Sequence, residues 1–101
     1  MEHNMKHEYL IKEDSFIAKI AARKLRTQSV AIVIGKTIHL HNTTKEALLQ
    51  NDCWLKHELC HIRQFKRYGF IPFILKYLVE SIKKGYHLNK YEIEARRAEK
   101  E

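Results

Sequence analysis

An α+β fold is what these 101 residues predict. Two β-branched, apolar runs, Ser29 to Ile34 and Thr37 to His41, are separated by Gly35-Lys36 and read as a hairpin. On either side of that hairpin, apolar residues recur at helical spacing. The chain is also short, enough for one domain over residues 1–101 with a modest core and no separate substrate-binding lobe.

The first helix is expected to start at Asp14 or Ser15, either of which can cap it. Phe16, Ile17, Ile20, Ala21 and Leu25 then line one face. In the hairpin, alternation turns Ile38 and Leu40 to the core and Thr37, His39 and His41 outward. Asn42-Thr43-Thr44 ends the sheet, and Thr43 with Glu46 forms a capping box for a short helix. From Asp52 to Tyr68 no Gly or Pro interrupts a helix whose Leu55, Leu59 and Ile62 form a core face, and Gly69 stops it. Phe70 to Ile82 carries Ile71, Ile74, Leu75, Leu78 and Ile82 at helical spacing, as a core helix would. Its surface alternative is an amphipathic helix that meets membranes with the help of Arg67, Lys83 and Lys84. The stretch is too short and too charged to cross a bilayer, with Lys76 and Glu80 inside it. A last helix follows Asn89, its N-cap.

The most informative stretch is His57-Glu58-Leu59-Cys60-His61, the H-E-x-x-H pattern of helical metal sites. Residues four apart on a helix share a face, so both imidazoles can reach one ion. Glu58 lies beside that stripe, close enough to act on water without becoming a ligand. His57, His61, Gln64 and Tyr68 fall within roughly 60° of one another at 100° per residue, apart from the apolar stripe.

A two-histidine site needs a third protein ligand if its fourth position is to take water. The segment Asn89 to Glu99 offers one. Glu92, Ala95 and Glu99 share a face, and the small Ala95 lets two helices approach where Glu92 would meet the histidines. Glu94 and Glu99 are the competing ligands.

The combination His57-Glu58-x-x-His61-x-x-Gln64 with Glu92-x-x-Ala95 resembles the gluzincin branch of zinc metallopeptidases, and within it the small single-domain minigluzincins. The likeness spans roughly residues 30–99. It implies one Zn2+ per chain on His57, His61 and Glu92, with Glu58 as general base in peptide-bond hydrolysis. It also implies that residues 37–41 are a cleft edge that takes up an extended peptide by strand addition. Many gluzincins place an Asp directly after the Ala, where it supports a ligand histidine; this chain has Arg96. The carboxylate that fixes the tautomer must come from elsewhere. Tyr86 and His87, just before the Glu92 helix, are candidates to donate to the developing oxyanion, and Gln64 to line the pocket or bond His61. His/His/Glu ligation does not choose zinc uniquely over manganese or another divalent ion.

Cys53 and Cys60 stand seven apart on one helix, about 10 Å between Cα atoms, too far for a disulfide. Reduced thiols, and an N-terminus too polar for a signal peptide, with His3, Lys6, His7 and Glu8, give a cytoplasmic expectation. The net charge of +7 favours anionic partners, but the basic residues are dispersed and no nucleic-acid-binding motif accompanies them. Peptide hydrolysis is therefore the leading reading. A metal-holding module that binds a peptide or partner without cutting it is the alternative, and a basic nucleic-acid-binding protein ranks below both.

Overall fold

Strand β3 (Thr37–His41) is the centre of a three-stranded sheet, flanked by β1 (Leu10–Lys12) and β2 (Val30–Ile34). The computed structural model describes residues 9–101, so His3, Lys6, His7 and Glu8 lie outside the described residues. The chain divides into two compact units, residues 1–50 and residues 51–101. The mixed helix-and-sheet class is as expected, and β1 is the element that the sequence did not announce.

In the first unit β2 and β3 form the expected hairpin, pairing from Val30 with His41 to Ile34 with Thr37. Gly35, at φ 66°, makes the turn. β1 runs parallel to β3, Leu10 to Thr37 and Lys12 to His39, and the Ser15 amide then donates to the Leu40 carbonyl at 2.9 Å. Both edges of β3 are thus engaged along its length. The expected strand addition along residues 37–41 has no open edge to use; among the described residues the outer strands are β1 and β2.

Helix α1 (Phe16–Leu25) is capped by Ser15, whose Oγ accepts from the Ala18 amide. The face it buries is Ala18 and Ala22, not the expected apolar stripe. Phe16, Ile17 and Ile20 lie about 100–160° away around the helix and are exposed, Phe16 by 71%. Two alanines one turn apart let the backbone come close to the sheet, which larger side chains would prevent. Ile38 and Leu40 are fully buried as expected. His39 is buried as well, not outward, where its Nδ1 is hydrogen-bonded with the Ser15 hydroxyl at 2.8 Å. Burial and then the Lys12 charge hold its imidazole below the usual value. The short helix α2 (Lys45–Gln50) takes its cap one residue later than predicted, from Thr44, which accepts from the Ala47 amide.

The second unit is three helices: α3 (Asp52–Tyr68), α4 (Phe70–Leu88) and α5 (Lys90–Ala98). Asn51 caps α3 by accepting from the Trp54 amide, and Asn89 caps α5 through Tyr91. Cys60 packs with Ala95 and Ala98, so α3 and α5 cross on small side chains. Around them Phe65, Tyr68, Phe73, Tyr77 and Tyr91 make an aromatic cluster with centroids 4.7–6.4 Å apart. Such pairs add about 1 kcal/mol each beyond the area they bury. Those rings decide which side of α4 is inner. Ile71, Leu75, Leu78 and Ile82, expected in the core, are exposed, Ile82 by 84%, while Phe73 is buried. On α3 only Ile62 of the expected Leu55, Leu59 and Ile62 face is fully buried.

Gly69 and Gly85 share one conformation, φ 91° with ψ 157° and φ 82° with ψ 166°, a region essentially reserved for glycine. Gly85 breaks α4 just before Tyr86. A Cβ there would meet no atom within 4 Å, so Gly85→Ala isolates the backbone term. Its expected effect is a loss of about 1–3 kcal/mol in chemical denaturation with an unchanged m-value.

Candidate metal centre

The helical spacing of His57 and His61 brings their rings to a centroid separation of 5.1 Å on α3. Glu92, in the first turn of α5, reaches between them: its Oε1 stands 3.2 Å from Nε2 of His57 and 3.2 Å from Nε2 of His61. Ligand atoms around a tetrahedral zinc, at about 2.1 Å from the ion, lie roughly 3.4 Å from each other. The two nitrogens and a Glu92 oxygen all fall within 4.8 Å of one another, so the residues fit a single divalent ion. The expected third ligand is the one that the structure brings to the histidines.

The far nitrogens of both rings are also engaged. Glu99 Oε2 lies 2.7 Å from His57 Nδ1. Gln64 Oε1 lies 2.8 Å from His61 Nδ1, while its Nε2 donates to the Tyr91 carbonyl at 3.1 Å and to Glu94 at 2.7 Å. With the amide nitrogen spent on two acceptors, Gln64 can only accept from His61, so Nδ1 carries hydrogen; Nε2 donates to Glu92 while the ring is charged and offers its lone pair once that proton leaves. The Glu99 carboxylate imposes the same tautomer on His57. Tyr77 donates its hydroxyl to Glu92 Oε2, which holds the carboxylate still from the other side.

The two competing carboxylates therefore have other work. Glu94 anchors Gln64 and pairs with Arg67 at 3.4 Å, and the Gln64 bond is the main cause of its lowered pKa. Glu99 is the carboxylate at His57 Nδ1, while position 96 holds no acid. Arg96 instead donates to the His87 carbonyl, across the α4–α5 junction. Sequence reasoning placed Glu99 on the Glu92 face without its role, and missed Tyr77, whose position on the inner side of α4 became visible only with the aromatic cluster.

The charges are strongly coupled. Burial works against the His57 imidazolium, yet hydrogen bonding to Glu92 and Glu99 and the Glu58 charge raise it to about 9. His61 is also raised, by Glu92 against the effect of burial. Glu92 is held well below the usual carboxylate range: both histidines and Tyr77 outweigh its desolvation. Glu58 is 5% exposed, and burial lifts its carboxyl to about 7 against the pull of His61 and His57. Tyr86 is 48% exposed, and burial, then the Glu92 and Glu58 charges, push its phenol up to about 12. His87, the other expected donor, is exposed.

Compared with protein-family models, with curated proteins and with solved structures, the chain gives no match.

Proposed function

We propose that this chain is a zinc-dependent peptidase whose ion is held by His57, His61 and Glu92. One observation carries the reading: both imidazole Nε2 atoms face the same Glu92 oxygen at 3.2 Å. The likeness of the motif pair to gluzincins supports it, and Glu99 answers the departure at Arg96. An ion bound there would supply Lewis acidity, acidifying water and polarising a carbonyl. Glu58 has the proton affinity for the remaining work. A carboxyl near 7 can take a proton from the attacking water at neutral pH and return it to the leaving amine. Tyr86, with a phenol that stays protonated, would donate to the developing oxyanion. The closed edges of β3 remove the expected peptide seat, and this favours the second reading, a metal-holding module that binds without cutting.

Elemental analysis of the metal-loaded chain, followed by a peptide-library screen of the native protein and Glu58→Gln, tests the proposal. One zinc per chain with cleavage by the native protein alone is expected. Zinc without cleavage by either, with equal peptide binding, would leave the second reading.

Two further results are expected. Glu99→Ala frees the His57 ring and should weaken zinc binding about 10- to 100-fold by competition with a chelating dye, while Gln64→Ala does the same through His61. Loading at pH 7 should also release protons, because the His57 imidazole, raised to about 9, must deprotonate to bind. Calorimetry in buffers of different ionisation enthalpy reads this directly, and affinity should climb as pH rises toward about 9.

A further inference from the structure

The outer face of α4 is apolar and uncovered, and its charges suggest what it meets. At 100° per residue Ile71, Leu75, Leu78, Val79 and Ile82 fall within an arc of about 100°. All five are more than half exposed. Phe73 and Tyr77, which face the aromatic cluster, lie roughly 180° away. A helix apolar on both sides ordinarily has both sides buried, yet no described helix is long and apolar enough to cross a membrane.

Charge selects the occupant. Lys76 and Lys83 border the stripe on one side; both are exposed, and the Lys76 ammonium lies 5.5 Å over the Tyr68 ring, from which a rotamer change frees it for a headgroup. The one carboxylate on α4, Glu80, is on the inner side, buried, 3.7 Å from Lys84 and accepting from the Lys90 amide. The exposed face therefore presents aliphatic side chains with cations and no acid, on a chain of net charge +7. An isologous contact with a second copy would bring the same lysines toward each other, which disfavours it. An anionic lipid surface complements both features: it takes the stripe to the acyl boundary and the lysines among its headgroups.

We propose that α4 docks this protein on anionic membrane surfaces, lying in the interface plane through Ile71, Leu75, Leu78, Val79 and Ile82. The His57–His61–Glu92 cluster, reached from α4 through Tyr77, is then on the side of the helix turned away from lipid.

Co-sedimentation of the full chain with vesicles tests this. Binding to phosphatidylcholine vesicles containing phosphatidylserine is expected to be at least about tenfold tighter than to phosphatidylcholine alone, and to weaken as salt rises. Leu78→Glu and Ile82→Glu should each lower it about tenfold or more, with circular dichroism and thermal melting confirming the fold. Lys76→Glu with Lys83→Glu leaves the apolar stripe intact and should remove the preference for phosphatidylserine. Absence of binding to either vesicle, or equal binding to both, would overturn the proposal. So would a concentration-dependent dimer in analytical ultracentrifugation that Ile82→Glu dissolves, which would assign the face to a second copy.

Discussion

Glu92→Ala is expected to reduce zinc affinity by at least about 100-fold and to destabilise the metal-free protein by about 3 kcal/mol. Both effects follow from one oxygen. Glu92 Oε1 is the partner that His57 Nε2 and His61 Nε2 share, and removing it leaves two largely buried imidazoles facing each other without an acceptor. The rings answer by giving up their protons. Their pKa values, now raised, should fall toward or below 6.5, and NMR titration of the imidazole carbons would show it. Zinc held at native affinity in the variant would move the third ligand to Glu94 or Glu99.

Glu58→Gln should abolish peptide cleavage, by about 100-fold at the least, while making the metal-free protein more stable. Burial raises the Glu58 carboxyl from 4.5 to about 7. Its ionised form is therefore disfavoured by folding, and the penalty develops as pH rises from 4.5 and is complete above about 7. The amide keeps the shape without the charge, so the gain at pH 8 is about 2–3 kcal/mol, and near pH 4 it vanishes. Thermal melts of the two metal-free proteins across that range read the difference. An unchanged melting profile would show that Glu58 is not desolvated at the site, and its assigned role as base would lose its footing.

How much of this was legible beforehand depended on whether the signal was local. His57, His61 and the Glu92-x-x-Ala95 spacing are one-turn relations that any helix must obey, and the structure gathers them as expected. Asn89 as a cap and Gly69 as a stop are likewise local chemistry. The hairpin over residues 30–41 formed about the expected Gly35-Lys36 turn, but the parallel strand β1 did not show in three residues, Leu10-Ile11-Lys12. That strand, with the Ser15 amide, closed the peptide-binding edge the resemblance implied. Apolar periodicity in α1 and α4 located the stripes correctly and misassigned their surroundings. A stripe states only which residues travel together; whether Ala18 or Ile20, Phe73 or Leu75 turns inward is settled by what the neighbouring elements can accept. His39 shows the same limit: alternation put it opposite Ile38 and Leu40, and the helix cap at Ser15 buried it there.

Every side chain that grips or steadies the Glu92–histidine point, from His57 through Gln64, Tyr77 and Glu94 to Glu99, is encoded within one unbroken run of the second half of the chain. The centre is therefore inherited as a block. A recombination or insertion event falling anywhere before Asn51 passes on the gripping residues and their props together. A change of even one residue in the length of the α3–α4 or α4–α5 joint, by contrast, shifts the props against the residues they serve.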